Sequence, residues 1–284
     1  MTYDLLIDAG NTRIKWALAA PSADLGDWIA QGAHMHADAA VFPAALTAAL
    51  AAAVRPIVQP DAGAAPAMAT AAAHQSASSP DGMAAIGRVL IANVAGQSVR
   101  DMLASWLAAP QLMIPPQAIE WFASVPERAG VRNAYRNPAQ LGCDRFAAAI
   151  GAHALCPGKA IVVANCGTAT TIDAITADGI FRGGMILPGL GLMATSLARN
   201  TAQLPQIKPG KLPEGFADNT DDAILTGCLA AQAGAIERAF ELHQAVECII
   251  SGGAAPYVAP AVPVPHRHVE NIVMIGLHAA LRSA

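Results

Sequence analysis

The stretch YDLLIDAGNTRIKWALAA, residues 3–20, decides the fold. An apolar run ends at Asp8, a small turn follows, and a second apolar run continues beyond Arg13. This pattern predicts two strands joined in a hairpin at residues 9–11. A Gly-Asn turn of this kind is ordinary hairpin chemistry, but its backbone amides can also bind an anion.

The second half of the chain repeats this pattern. In KAIVVANCGTATTIDAITADGIFRGGMILPG, residues 159–189, a buried strand leads into a Gly-Thr turn and then into a β-branched strand. A third strand is predicted after the Ala-Asp-Gly turn. Set side by side, LLIDAGNTRIKWAL and IVVANCGTATTIDAI both read as apolar strand, polar residue, Gly, Thr and strand. We interpret this as a weak internal repeat at the start of each half.

Between these hairpins the predicted strands and helices alternate. Helices are predicted at residues 38–53, 98–109, 143–155, 190–200 and 220–244, and strands at 88–94, 118–124 and 247–253, the last ending in a Gly pair. Residues 55–87, rich in Ala, Pro, Gly and Ser, are predicted to be largely a loop or poorly ordered insertion. The alternation predicts an α/β architecture with mixed sheets.

Composition narrows the class of protein. The chain has 284 residues, of which 54% are hydrophobic and 13% charged, which suits one large domain or two moderate ones. Its apolar runs are much shorter than the about 20 residues that span a bilayer, and the start lacks a secretory pattern. With a net charge of −4 and no basic run, nucleic acid is not an expected partner. No membrane association is expected.

The five cysteines are widely spaced and include no C-x-x-C pair. This usage favours reduced thiols over disulfides or a metal cluster, and it predicts a cytoplasmic protein.

The two Gly-Thr turns are candidate phosphate sites. Glycine lets backbone N–H groups converge on a phosphate, Asn11 and Thr12 add side-chain donors, and Arg13 or Lys15 adds positive charge. A carboxylate beside phosphate is explained if Mg²⁺ or water lies between them, which is the interpretation of Asp8. One such turn would most often be structural, whereas two at the start of two halves favour a nucleotide clasp. The sequence contains neither a Walker loop nor a G-x-G-x-x-G motif.

LGCDRF, residues 141–146, places an acid beside a base at the start of a predicted helix. Asp144 can be a helix cap, or it can orient and deprotonate a hydroxyl while Arg145 binds an anionic group of the same substrate. Local sequence leaves both interpretations open. Tyr135 and Thr201 are polar residues whose local sequence is likewise compatible with a structural or a binding role. Thr201 by itself suggests a helix end.

The segments DAGNTRIKWA, GCDRFAAAIGA, NCGTATTIDAI, GGMILPGLGLMATSLARNTAQLP and IISGGAA occur in this order. Together they resemble the type III pantothenate kinases of the acetate and sugar kinase/actin superfamily, over nearly the whole chain. The resemblance implies an actin-like ATPase fold of two ribonuclease H-like lobes, residues 1–138 and 139–284, with the site in their cleft near a homodimer interface. It implies ATP-dependent phosphorylation of pantothenate to 4′-phosphopantothenate, the first committed step toward coenzyme A.

The resemblance also assigns residues. The implied ATP-binding set is Asp8, Ala9, Gly10, Asn11, Thr12, Arg13, Ile14, Lys15 and Thr168. The implied pantothenate-binding set is Tyr135, Gly142, Cys143, Asp144, Arg145 and Thr201. Within it Asp144 is the expected general base on the primary hydroxyl, and Arg145 the expected partner of the carboxylate.

Two cations are implied, Mg²⁺ with ATP and an activating monovalent cation, K⁺ or NH₄⁺. Many family members carry Asp where this chain has Asn165 in ANCG. Asn keeps an oxygen ligand but loses the charge, so we expect a monovalent cation requirement with weaker or different binding.

Two further hypotheses remain open. A kinase on the same fold could act on another small acceptor, although Arg145 beside the base suits one that carries a carboxylate. A non-catalytic nucleotide-binding regulator is the other alternative, and the presence of Asp8, Asp144 and Arg145 argues against it.

Overall fold

Two hairpins each begin a mixed β-sheet. The computed structural model describes residues 2–53, 85–207 and 215–283. Its strands are β1 (Thr2–Ala9), β2 (Arg13–Ala19), β3 (Ala30–Met35), β4 (Ala85–Asn93), β5 (Ile119–Trp121), β6 (Glu127–Arg128), β7 (Val131–Asn133), β8 (Ile161–Cys166), β9 (Ala169–Ile175), β10 (Ile180–Pro188), β11 (Glu247–Ser251) and β12 (His266–His268).

Seven α-helices connect and cover these strands in the described ranges. They are α1 (Phe42–Ala53), α2 (Gln97–Leu107), α3 (Cys143–Leu155), α4 (Leu190–Asn200), α5 (Thr220–His243), α6 (Ala255–Val258) and α7 (Ile272–Arg282). Short 3₁₀ helices lie at His36–Val41, Pro110–Leu112, Pro116–Ala118, Pro138–Gln140 and Ala259–Ala261.

The two sheets share one strand pattern. The first has the order β3-β2-β1-β4-β5, and the second has the order β12-β11-β8-β9-β10-β7-β6. In each, an antiparallel three-stranded meander (β1-β2-β3 or β8-β9-β10) is extended by two parallel strands, β4-β5 or β11-β12. The internal repeat expected from the two hairpins is thus a repeat of sheet topology.

Successive side chains of β1 point to opposite faces of the first sheet, and both faces are buried. Leu5 and Ile7 of β1 pack with α1 and α2, while Leu6 faces the opposite side. The apolar residues of α1 recur every fourth position, at Phe42, Leu46 and Leu50, so one helix face is buried.

Helices α3 and α7 lie between the two sheets. Their apolar residues form one cluster with Leu6 and Leu90 of the first sheet and with Val163 and Ile249 of the second. The helices cross closely, because a Cβ on Gly276 would overlap the backbone of Ala147 in α3. The α3–α7 pair therefore fixes how the lobes meet, and it places the N-terminus of α3 at the cleft.

Three sequence predictions need correction. The helix expected at 38–53 begins at Phe42, after a 3₁₀ turn. The strand expected at 118–124 covers Ile119–Trp121. The last residues of the expected insertion 55–87 belong to β4, since that strand begins at Ala85 and pairs with β1, and residues 55–84 lie outside the described ranges.

The short strands β6 and β7 join the second sheet, because β7 pairs in parallel with β10. Both strands precede residue 138. A lobe boundary at residues 138 and 139 therefore stays a prediction, and the sheet pairing favours a division after β5.

Candidate active site

The first turn is held by its own hairpin and by a histidine. In the hairpin register Asp8 faces Lys15, and the Gly10 N–H donates to the Arg13 carbonyl at 3.0 Å. The His36 ring donates through Nε2 to the Gly10 carbonyl at 2.8 Å, and the His36 N–H donates to the Thr12 carbonyl at 3.3 Å. Two backbone oxygens of the turn are thus tied back, which leaves its exposed side toward the cleft.

The second turn is built in the same way. The Gly167 N–H donates to the Ala169 carbonyl at 3.0 Å, and the Gly189 N–H donates to the Thr168 carbonyl at 2.9 Å. Gly189 has to be glycine, because a Cβ there would overlap the carbonyl oxygens of Gly167 and Thr168. The corner between β10 and α4 therefore supports this turn directly.

The two turns meet across the cleft. The hydroxyl oxygens of Thr12 and Thr168 lie 2.8 Å apart, at hydrogen-bond distance, and both side chains are exposed. The two turns that the repeat singled out thus face one another, and their exposed hydroxyl and amide groups offer donors to one polyanionic ligand.

Asp8 is buried behind the first turn. Its side chain is 3.9 Å from the Lys15 ammonium, measured from Oδ2 to Nζ. Burial raises the pKa of Asp8 to about 6, the charge of Lys15 opposes this, and the negative charge of Asp144 adds to it. The charge at the start of α3 therefore influences the pKa of the Asp8 carboxyl.

Asp144 stands in the first turn of α3. The N-cap of α3 is Gly142, so the prediction that Asp144 caps this helix is wrong. Its Oδ1 accepts the Arg145 N–H at 2.8 Å. Burial raises the pKa of Asp144, and the Arg145 N–H and the Arg145 charge partly offset this.

Cys143 connects α3 to the end of β4. Its Sγ lies 3.6 Å from the Asn93 carbonyl, to which the thiol donates. Burial first, and then the charge of Asp144, raises the pKa of Cys143 to about 11, so this cysteine is a neutral thiol near pH 7. All five cysteines are free of disulfides, as the sequence predicted.

Arg145 is buried and bonded within the second lobe. Its Nε donates to the two carboxylate oxygens of Asp173 at 3.1 and 3.2 Å, Nη2 also donates to Asp173, and Nη1 donates to the Tyr135 hydroxyl at 2.9 Å. The guanidinium lies 5.8 Å from the ring centre of Tyr135. The structure therefore brings Tyr135, Asp144 and Arg145 together at the N-terminus of α3.

Thr201 is hydrogen-bonded at the end of its own helix. Its hydroxyl donates to the Leu197 carbonyl at 2.8 Å and accepts the Leu204 N–H at 3.3 Å. It is the C-cap of α4, in agreement with its interpretation as a helix-end residue. Among the hydrogen bonds of the described ranges, none joins Thr201 to Tyr135, Asp144 or Arg145.

Asn165 is the penultimate residue of β8, where Thr171 of β9 and Ser251 of β11 are its neighbours in register. It is partly exposed at the cleft end of the strand. In the part of the chain that the structure describes, no three His, Cys, Asp or Glu side chains group as a metal site.

Two residues of this site were missed in the sequence. Asp173 is the one charged residue of ATTIDAI, and that was its available signal. His36 has no local signal, because it follows a strand whose pairing brings it to the turn. Within the described ranges, every helix is too short or too polar to cross a bilayer.

Comparison with solved structures supports the fold class. A conserved Campylobacter jejuni protein described as a Baf family transcriptional activator matches with a TM-score of 0.55 at 16% identity, covering 96% of this chain and 94% of that one. The activator of 2-hydroxyisocaproyl-CoA dehydratase from Clostridium difficile, with ADPNP bound, matches with a TM-score of 0.50 at 10% identity, covering 99% and 94%. These likenesses concern the fold alone, and they agree with the predicted α/β architecture of mixed sheets.

Comparison of sequences shows the family. The chain is 49% identical over 284 residues to the type III pantothenate kinase of Janthinobacterium sp. (strain Marseille), covering 96% of this chain and 95% of that protein. The family model described as type III pantothenate kinase matches residues 4–242. The chain belongs to the type III pantothenate kinase family.

Proposed function

We propose that this chain transfers the γ-phosphoryl group of ATP to the primary hydroxyl of pantothenate, which yields 4′-phosphopantothenate for coenzyme A biosynthesis. The observation that carries the proposal is the meeting of Thr12 and Thr168 across the cleft. Asp144, whose negative charge adds to the raised pKa of Asp8, supports it. One site thus offers donors for a polyphosphate and a carboxylate for the acceptor. Family membership identifies the substrates as ATP and pantothenate.

The ATP phosphates bind between the two turns in this proposal. Residues Asp8, Ala9, Gly10, Asn11, Thr12, Arg13, Ile14 and Lys15 form the first contact surface, and Thr168 belongs to the second. The support is geometric, since bonds from His36 and Gly189 fix both turns before any ligand arrives. Preformed donors contribute most when charge develops during phosphoryl transfer.

Asp8 fits the divalent ion that accompanies ATP. Burial raises the pKa of this carboxyl to about 6, which means that its charged form is destabilised. A nearby cation would stabilise that charge. Mg²⁺ prefers such oxygen ligands and keeps several waters, so it does not need a cluster of acids. When bound, Mg²⁺ would neutralise charge on the phosphates. Asp8 would hold the ion or one of its waters.

Asp144 serves as the general base. Its raised pKa brings the carboxylate nearer to the operating range of a proton acceptor. The preceding Gly142 and Cys143 form the wall against which pantothenate would lie. Asp144 would orient the primary hydroxyl toward the γ-phosphate and accept its proton as the new bond forms.

Arg145 and Tyr135 bind the carboxylate end of pantothenate in the proposal. Their mutual bond of 2.9 Å sets both beside Asp144. Thr201 remains a proposed contact that rests on the resemblance.

A monovalent cation, K⁺ or NH₄⁺, completes the proposal at Asn165. The amide oxygen is a possible ligand at the cleft end of β8, without the negative charge of an acid. We expect Asn165→Asp to lower the K⁺ concentration for half-maximal activity.

We also propose a homodimer. The support is the exposure of three large apolar side chains at the end of β10 and along α4, namely Ile186, Leu192 and Leu197, which are exposed by 65%, 50% and 36%. Sedimentation of the purified protein tests this. Two lobes divided at residues 138 and 139 and a cytoplasmic location remain part of the proposal, and the five free thiols support a reducing compartment.

The decisive experiment measures phosphopantothenate formation by mass spectrometry with ATP and Mg²⁺, adding K⁺, NH₄⁺ or Na⁺ in turn. Parallel reactions replace pantothenate with hexoses or acetate. We expect product with pantothenate alone among these acceptors. Asp144→Asn should lose about 10²- to 10⁴-fold in kcat. Asp101→Asn, an exposed acid that accepts from Gln97 on α2, is the matched control. If the enzyme phosphorylates a hexose or acetate but not pantothenate, the hypothesis of a kinase for another small acceptor is favoured. If no acceptor is phosphorylated, the hypothesis of a non-catalytic nucleotide-binding regulator is favoured.

A further inference from the structure

Asp173 is a buried acid that the proposed chemistry does not use. It lies in the middle of β9, is 2% exposed, and directs both carboxylate oxygens to the guanidinium of Arg145. Burial raises the pKa of Asp173 to about 6, and Arg145 opposes this shift. The carboxylate is therefore held in its charged form mainly by one arginine, which is itself at the proposed acceptor site.

The backbone of β10 is shaped around this pair. Gly184 lies opposite Asp173 in the register of β9 and β10. A Cβ at Gly184 would overlap the Asp173 carboxylate and lie 2.8 Å from Nη2 of Arg145. The absence of a side chain at this position leaves the space in which the pair lies.

The bonds of Arg145 leave part of its guanidinium available. A guanidinium carries five N–H donors in a fixed plane. Nε–H and one Nη2–H point to Asp173, and one Nη1–H points to Tyr135. Within the described ranges, two N–H groups, one on Nη1 and one on Nη2, have no hydrogen-bond partner. Adjacent donors in one plane match the two oxygens of a carboxylate.

We propose that Asp173 is a positioning residue that orients Arg145, so that the remaining N–H pair faces the carboxylate of the acceptor. This inference rests on the proposed function. The flexible arginine side chain is ordered before the substrate binds, which lowers the entropy lost on binding. The Tyr135 hydroxyl accepts from Nη1 and so holds the guanidinium at a second point. Asp173 therefore selects for a carboxylate-bearing acceptor without touching it.

The test is a double-mutant cycle on steady-state kinetics. Asp173→Asn is expected to raise KM for pantothenate about 10- to 100-fold, the range for a hydrogen bond to a charged group. KM for ATP should change by less than about twofold, since the ATP turns are not bonded to Asp173. Arg145→Gln should raise KM for pantothenate at least as much. The double variant should be no worse than Arg145→Gln, because Asp173 acts through Arg145.

Glu247→Gln is the matched control, because it removes a carboxylate from the Lys159 and Arg267 pairs on β11, two strands away from β9 in the second sheet. If Asp173→Asn does not fold, Asp173→Glu keeps the charge and displaces the guanidinium. It should raise KM for pantothenate and leave KM for ATP unchanged. An unchanged KM for pantothenate, equal increases for both substrates, or additive effects in the cycle would overturn the inference. A wild-type protein that does not phosphorylate pantothenate would instead overturn the proposed function.

Discussion

The hydroxyl oxygens of Thr12 and Thr168 lie 2.8 Å apart, although 156 residues separate them in the chain. Each stands at the tip of a hairpin that begins its own sheet. The contact shows that the internal repeat has placed equivalent turns face to face, and it marks the position that the ATP phosphates are proposed to occupy.

Removing either hydroxyl should weaken ATP binding. Thr12→Val and Thr168→Val keep the shape of the side chain and delete a donor, so each should raise KM for ATP about 3- to 10-fold. KM for pantothenate should stay within about twofold, because no hydrogen bond in the described ranges joins either hydroxyl to Tyr135, Asp144 or Arg145. Steady-state kinetics measure both constants. Thr47→Val is the control, since its hydroxyl bonds to Pro43 within α1. A larger effect on pantothenate than on ATP would contradict this placement.

His36 should control the first turn. His36→Phe keeps a ring but deletes the N–H that holds the Gly10 carbonyl, so the amides of the turn lose their fixed direction. We expect KM for ATP to rise about 3- to 10-fold with kcat reduced less. His266→Phe is matched, because His266 makes the same kind of ring-to-carbonyl bond, to Val264 at 2.8 Å, in β12. Equal kinetics for both variants would argue against a role for His36.

Asp8→Asn should stabilise the ligand-free protein while removing activity. The folded pKa of Asp8, about 6, lies above its value in an unfolded chain, so the folded state binds the proton more tightly. Stability contributed by this group is present at low pH and is lost as pH rises through the range from about 4 to about 6. The asparagine variant avoids this loss, which is on the order of 2–3 kcal/mol.

Urea unfolding at pH 4.5 and pH 8, without nucleotide or divalent ions, measures the difference. The variant should match the wild type more closely at the lower pH and exceed it at pH 8. Asp101→Asn provides the comparison for loss of an exposed carboxylate. A variant less stable than wild type at pH 8 would show that the charged Asp8 contributes to the fold.

His278 should make the protein sensitive to acid. This α7 residue is fully buried, packs on Trp28 with ring centres 5.5 Å apart, and has no hydrogen-bond partner for its ring nitrogens within the described ranges. Burial lowers the pKa of His278, the nearby Arg282 and Arg88 lower it further, and Asp4 opposes them. The unfolded state therefore binds the proton more readily, and stability from this group falls as pH drops below about 6.5.

His278→Phe removes the titration and keeps an aromatic ring. Thermal unfolding midpoints at pH 7.5 and pH 5.5 should differ less in this variant than in the wild type, by about 2–4 °C for each kcal/mol recovered. His266→Phe, an exposed position, should keep the wild-type pH dependence. A His278→Phe curve parallel to that of the wild type would exclude this source of acid sensitivity.

Much of the fold could be predicted because its signals are local. The first hairpin lies where its two apolar runs and its turn placed it, and α3 and α4 begin and end at the predicted residues. The predicted starts of α1 and β5 were wrong, since these elements begin at Phe42 and Ile119. Neighbouring turns and sheet pairing set these starts, and the local sequence does not contain that information. The membership of β7 in the second sheet is likewise a long-range fact.

The residues of the candidate site also fall into two groups, those with a local sequence signal and those placed by long-range contacts. Asp8, Thr168 and Asp144 stood out through glycine-containing turns or a helix start, and the structure brings them to one cleft. Asp173 is 28 residues from Arg145 and His36 is 26 from Gly10, and each joins the site through strand pairing. Tertiary hydrogen bonds of this kind leave little trace in a single sequence.

Helix α7 has a consequence for the order in which the protein matures on the ribosome. It covers the inner face of the first sheet, and Arg88 of β4 donates to the Leu281 carbonyl, 193 residues further along. The first sheet is therefore synthesised long before the helix that covers it. During translation the apolar inner face of the first sheet, with Leu6 and Leu90, stays exposed until α7 has been synthesised. We therefore expect chaperones and proteases to bind nascent chains that stall before α7.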